Sequence, residues 1–293
     1  MTYDDLREMI DRQLKSPGAP PNATTTPGGV MYSGLNTITP GQFYIMGFNP
    51  AGDKSNKSNE INSPPAINPE KFIINNICNP RGMDEKNDYS AYTMDYWKTS
   101  PQRPVDSAGR LHPNDRKRHQ RQVVELCQLV YGVSVAEADT VTEKTFSANA
   151  IWAEEARIEN INNLQQWWSI CWPLHQYLLS IIRPNCIIAL GYGFNWNTSA
   201  FALLLAKMGK SNINGFENIV QNNQICGRHF RGDLSLMGPL TGHLAGPDKD
   251  RLHVNVLGIR HPSRPSNIGG LAPWLEKNAS GWRRLSGPEI RTG

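Results

Sequence analysis

The chain lacks any apolar run of the eighteen or so residues that a membrane helix needs. Its opening segment, MTYDDLREMIDRQLK, carries acids where a secretion signal would carry an apolar stretch. A soluble, cytoplasmic protein is the expectation. Cysteine is scarce: Cys78, Cys127, Cys171, Cys186 and Cys226 are odd in number, far apart and form no C-x-x-C pair, the usage of reduced structural thiols and not of a disulfide framework. A strong charge of one sign is also missing. Thirty Lys and Arg against 26 Asp and Glu give +4, which permits a polyanionic partner without arguing for one. With 293 residues, 39% hydrophobic and 19% charged, and with Gly 25 and Pro 21, the chain is neither a coiled coil nor disordered. It is long enough to bury a core without staples.

Residues 3 to 15 repeat apolar positions at Leu6, Met9, Ile10 and Leu14, which predicts a helix stopped by Ser16-Pro17-Gly18. An irregular arm over 16 to 41 follows. QFYIMGF (42 to 48) reads as a short buried strand running into the turn signal Asn49-Pro50-Ala51-Gly52. Residues 53 to 115 are polar and rich in Asn, Pro and Gly, a long loop of the kind that forms lids or binding loops. A helix with a basic first half is expected over 116 to 131. TFSANAIW (145 to 152), NCIIALGYG (185 to 193) and LHVNVLGI (252 to 259) read as strands, with helices over 162 to 184 and through FNWNTSAFALLLAKMG. Alternating strands and helices predict an α/β fold of three layers, α/β/α, around a short, mostly parallel central sheet. The whole chain, 1 to 293, is read as one domain with an N-terminal helix and arm (1 to 41) and a long insertion (about 54 to 120).

Ligand sites in open α/β sheets lie outside the carboxyl ends of the strands. Here those ends are Gly47-Phe48-Asn49-Pro50, Asn149, Gly191-Tyr192-Gly193 and His261-Pro262-Ser263. Three of them offer an amide or imidazole. None carries a phosphate cradle, because no G-x-G-x-x-G or Walker pattern follows any predicted strand, and Gly191-Tyr192-Gly193 lacks the third glycine.

Gly47-Phe48-Asn49-Pro50-Ala51-Gly52 after the first strand and His261-Pro262-Ser263-Arg264 after the last resemble the two active-site motifs of the uracil-DNA glycosylase superfamily. TFSANAIW, the helix ending IIRP and NCIIALG resemble the core of its family 4 and 5 members. The similarity covers residues 42 to 53 and 145 to 270 and leaves 54 to 144 unexplained. The resemblance implies a uracil-DNA glycosylase-like fold and a base-releasing hydrolase. Cys171 falls where those families carry an iron-sulfur ligand, but the preceding ligand position corresponds to Ala153 and no N-terminal cysteine pair exists. One thiolate cannot hold a four-iron cluster. No metal and no organic cofactor is expected.

By the same resemblance, Asn49 holds the attacking water and His261 donates a hydrogen bond to the pyrimidine O2 as charge gathers on the leaving base. Asp53 offers a nearby carboxylate, although a turn-capping aspartate fits its position as well. Asn149 is the candidate reader of the base edge, and its amide suits uracil and, turned over, cytosine. Phe48, Tyr96 and Trp97 are candidate stacking surfaces for an extruded base. Ser263 and Arg264 are candidate contacts to the DNA backbone, as are Arg116, Lys117 and Arg118 in the basic stretch.

The classical uracil enzymes carry a tyrosine where this chain has Ala51, so the C5 side of the pyrimidine is open. That predicts a 5-substituted base, such as the modified cytosines of phage DNA, released by a monofunctional mechanism, since no lysine lies in the matched motifs. Ordinary uracil repair, and an idle DNA-binding or defence module on the same fold, remain as alternatives. The partner is expected to be DNA, with no membrane, and the protein a monomer.

Overall fold

The computed structural model describes residues 3–24, 29–48, 90–94, 105–107, 109–153, 161–193, 199–236, 251–262 and 267–283. Six strands make one sheet: β1 (Phe43–Gly47), β2 (Phe146–Asn149), β3 (Cys186–Leu190), β4 (Ile213–Gln221), β5 (Gln224–Ser235) and β6 (Arg251–Ile259). Among the described residues the α-helices are α1 (Tyr3–Leu14), α2 (Arg118–Tyr131), α3 (Ala138–Glu143), α4 (Leu164–Ile182), α5 (Ala200–Met208), α6 (Ala272–Asn278) and α7 (Ser280–Arg283). None of them is long and apolar enough to cross a membrane.

The sheet order is β2-β1-β3-β6-β5-β4. β1 pairs in parallel with β2 and β3, and β3 with β6, whereas β5 pairs antiparallel with both β6 and β4. Every residue of β1, β2 and β3 is buried, as expected of strands covered on both sides. Side-chain alternation divides the core in two. Tyr44, Met46, Ile187, Ala189, Val254 and Val256 pack with α1, α4 and α5. Phe43, Ile45, Ile188, Leu257 and Ile259 pack with α2 and α6. Helices therefore cover both faces, in an α/β architecture.

Two features differ from the expectation. The sheet is mixed: β1, β2, β3 and β6 form a parallel set, and the β4–β5 hairpin extends it beyond β6 with two antiparallel pairings; the string INGFENIVQ of β4 has too many polar residues to read as a strand. The arm over 16 to 41 is only partly irregular. Residues 30 to 33 run antiparallel along β2, with Tyr32 N–H donating to Ser147 O (2.9 Å) and Asn149 N–H to Val30 O (2.7 Å). The arm thus closes the outer edge of β2, which would otherwise expose unpaired backbone groups.

A polar chain crosses the interior on the α4 side. His175, fully buried in α4, meets the hydroxyl of Tyr44 through Nδ1 (2.7 Å) and the carbonyl of Asn149 through Nε2 (3.0 Å). A carbonyl only accepts, so Nε2 carries the proton and Nδ1 accepts from the tyrosine. Neutral imidazole satisfies both partners, and burial pushes the His175 pKa down from 6.5 to about 4. Between those values the unfolded chain binds a proton that the folded chain refuses, so stability falls as pH drops from about 6.5 to about 4 and levels off below. The loss from this residue is about 3 kcal/mol. Urea midpoints measured at pH 7 and pH 4.5 should show it, and His175→Gln should flatten the slope.

Candidate functional site

β1, β2, β3 and β6 are mutually parallel, so their carboxyl ends meet along one edge of the sheet. Gly47 and Asn149 face each other in register at the ends of β1 and β2. The Asn149 side chain is buried (1% exposed) and its amide is oriented by the arm, Nδ2 donating to Gly29 O at 3.0 Å. Because Gly29 O is an acceptor, this contact fixes which end of the amide is nitrogen. The other end, Oδ1, is buried and has no hydrogen-bond partner among the described residues. A buried acceptor left unsatisfied costs about 1–3 kcal/mol, which makes it a place where a ligand donor is favoured. Gly47 gives it room: a Cβ there would lie 3.0 Å from Oδ1.

His261 follows β6 at the same edge and is half-buried. Its ring stacks on His119 near the start of α2, with centroids 5.6 Å apart and planes 26° apart. His119 in turn meets the Tyr92 ring edge-on at 5.5 Å, and the Tyr92 hydroxyl lies 3.1 Å from Ser147 Oγ in β2. Residues 90–94, within the long insertion, are buried, and Tyr92 among them supplies one end of this row of rings. Gln120 pins them, its Nε2 donating to Ala91 O and Met94 O at 2.9 Å each. Desolvation of the His119 ring, with an added contribution from His261, lowers its pKa to about 3. His119 therefore stays neutral at ordinary pH. Neither the His119–His261 stack nor the Tyr92 anchor is legible from spacing, since the two rings lie on segments far apart in sequence.

The basic stretch divides into two kinds of cation. Arg116 is 4% exposed, with its guanidinium on both oxygens of Asp139 (2.6 and 2.5 Å) and on Leu111 O (3.1 Å). It ties the start of α2 to α3 and is not placed to touch a DNA phosphate, contrary to the expectation. Arg110 grips Glu143 in the same bidentate way (2.7 and 2.9 Å). Lys117, Arg118 and Arg121 are exposed. Lys117 and Arg118 directly precede His119 in the chain.

Phe48 is 2% exposed and packs in the core on the α1 and α4 side. Asn49, Ala51, Asp53, Trp97, Ser263 and Arg264, as well as Tyr96, lie outside the described residues. Cys171 is fully buried, and burial raises its thiol pKa well above the usual value. Of the expected site, the described residues thus bring Asn149 and His261 to one sheet edge, and add Gly47, His119 and Tyr92. Comparison of the chain with models of known protein families and with curated proteins finds no match to either.

The division among the cations is testable by urea unfolding. Arg116→Met leaves Asp139 unpaired beside the core and should lower stability by at least about 2 kcal/mol. Lys117→Ala and Arg118→Ala should each stay within about 0.5 kcal/mol of wild type. An Arg116 variant of unchanged stability would return that residue to the exposed group.

Proposed function

We propose that the chain is a monofunctional DNA glycosylase of the uracil-DNA glycosylase type, which takes a pyrimidine out of the base stack and hydrolyses its N-glycosidic bond. The single observation that carries this reading is the oriented Asn149 amide, with its acceptor buried and unsatisfied at the strand edge that also bears His261. In this orientation the Oδ1 acceptor suits the N3–H of a uracil-like ring, with the second Nδ2 hydrogen on O4; a cytosine meets the same two groups, N4 amine on Oδ1 and N3 on Nδ2, with its ring shifted along the amide.

The chemistry asks little of the protein beyond placement. Departure of the base leaves an oxocarbenium-like sugar and a base anion. His261 would donate to O2 of that anion, and a prealigned donor away from water lowers the barrier by a few kcal/mol. Asn49 would hold the attacking water on the opposite face of the sugar; an amide suffices because water attacking a cation needs position more than deprotonation. The exposed Lys117, Arg118 and Arg121 would meet phosphates, so binding should weaken steeply with salt. Ala51 favours a 5-substituted pyrimidine over plain uracil as the substrate.

The test is release of free base from oligonucleotides carrying uracil or 5-substituted cytosines. Asn149→Ala and His261→Ala should each slow release by at least about a hundredfold, with DNA binding nearly intact. Absence of base release from every oligonucleotide by wild-type protein would overturn the reading and favour an idle DNA-binding module. Substrate choice has its own test in Ala51→Tyr, which should suppress release of bulky 5-substituted bases and spare uracil. An unchanged ratio between the two would remove the modified base from the proposal.

A further inference from the structure

The sheet changes character along the face that α2 and α6 cover. Leu257 and Ile259 of β6 pack there in the apolar core. Asn255 and His253 precede them on the same face, by the alternation of the strand, and β5 sets Arg231 opposite Asn255 and Asp233 opposite His253. Here the face is polar and is not filled. A cleft of about 380 Å³ is lined by Arg231, His253 and Asn255 of the sheet, by Asn278 and Trp282 at the ends of α6 and α7, and by Asn185. Because Asn185 directly precedes β3, the cleft lies at the amino end of the parallel strands, whereas Asn149 and His261 stand at their carboxyl ends.

Hydrogen bonds already fix the amides of this cleft. Asn255 donates through Nδ2 to Asn185 O (3.1 Å) and accepts at Oδ1 from His229 Nε2 (3.1 Å), so both of its ends are engaged. Asn185 and Asn278 spend Nδ2 on Trp282 O and Trp274 O, at 2.9 Å each. A backbone carbonyl only accepts, so each amide leaves its Oδ1 as an open acceptor. No carboxylate lines the cleft among the described residues. The adjacent Asp233 is taken by His253 Nδ1 (2.6 Å), which leaves Nε2 as the ring nitrogen open to a ligand. Arg231 is exposed and makes no hydrogen bond or ion pair among the described residues. Two more arginines stand at this end of the sheet: Arg251, exposed on the same face of β6, and Arg183, which donates to Arg251 O (3.4 Å).

We infer that this cleft binds a small phosphate monoester bearing hydroxyl groups, the chemistry shared by a sugar phosphate and a nucleoside monophosphate. Such a monoester carries about −1.5 to −2 at neutral pH. The forked donors of Arg231, with Arg183 and Arg251 nearby, match that charge and its tetrahedral oxygens better than they match a lone carboxylate. The acceptors on Asn185 and Asn278 ask for something else, since a bare anion has no hydrogen to give them and a hydroxyl has. The volume stands near the lower end of the range for small-ligand pockets, roughly 300–1,000 Å³, which suits a sugar-sized body and not a polymer. Being at the far end of the strands, the cleft stands independently of the glycosylase reading.

The test is calorimetric titration of the full chain with ribose 5-phosphate, a pyrimidine nucleoside monophosphate, inorganic phosphate, ribose and malonate. At least one of the two monoesters should bind saturably to one site, at least about tenfold tighter than phosphate, ribose or malonate. The tighter of the two tells a sugar phosphate from a nucleotide. Arg231→Ala, at an exposed position, should weaken that binding at least about tenfold through lost charge-assisted hydrogen bonds. Arg231→Lys, which keeps the charge and loses the fork, should weaken it less. Asn149→Ala should leave it unchanged, so failure of base release and failure of this cleft are separate results. Absence of saturable binding by both monoesters, equal affinity for malonate, or unchanged affinity in Arg231→Ala would overturn the inference. Displacement of ribose 5-phosphate by an oligonucleotide lacking terminal phosphates would overturn it too, and would make the cleft a contact for a nucleic-acid backbone.

Discussion

The hydrogen bond from the Asn149 amide to Gly29 O is the constraint on which the rest of the candidate site depends. Three contacts immobilise this residue: its N–H on Val30 O, its carbonyl on His175, and its side-chain nitrogen on Gly29 O. The first two fix the backbone, and any residue type could make them. Only the third acts on the side chain, and it turns an amide that could point either way into an acceptor aimed in one direction. An arm that is irregular in sequence thereby sets the polarity of the site. Because the arm also covers the edge of β2, loss of that edge pairing and loss of the amide orientation would come together.

The long insertion contributes in a comparable manner. Its buried segment, residues 90–94, is attached to α2 by the Gln120 amide and to β2 by the Tyr92 hydroxyl. The start of α2 is held to α3 by the Arg116–Asp139 pair, and residue 110 to the end of α3 by the Arg110–Glu143 pair. The outcome is a row of rings, Tyr92, His119 and His261, running from the strand that carries Asn149 to the strand exit that carries His261. Packed rings resist compression. The spacing between the two polar residues is thus set by packing as well as by the paired strands β1 and β3 that lie between them.

How much of this could be read in advance depended on how locally each feature is encoded. The helix over 3 to 15 was legible because Leu6, Met9, Ile10 and Leu14 bury one stripe, and all four are buried as that spacing implies. β1 and β3 were legible as continuous apolar runs ending in turn residues, and β6 as an alternating run, Leu252, Val254 and Val256 being buried between more polar neighbours. The hairpin was not, because β4 is an edge strand whose side chains are mostly exposed, so its residues obey solubility and not alternation. Asn149 was singled out from its position at a strand end, but the direction of its amide depends on Gly29, 120 residues away in the chain. Arg116 misled for a related reason. A basic run looks uniform in sequence, and only burial separates the arginine that is neutralised from the cations left to solvent.

That separation bears on how a chain of small net charge could engage a polyanion. A formal +4 spread evenly over the surface would attract DNA weakly. Arg110 and Arg116 contribute little outward field, since each is matched by a carboxylate at hydrogen-bond distance. Lys117, Arg118 and Arg121 are exposed within five residues of chain, and His119 ties that stretch to the site. Meanwhile the histidines inside, His175 and His119, are held neutral by burial, so the interior adds no competing positive charge that would draw a phosphate in place of a base. Under the proposed reading, exposed cations at the start of α2 with neutral imidazoles buried behind them would suit a backbone held outside and an uncharged ring within. That arrangement follows from where the chain buries its polar groups and not from how many cations it has.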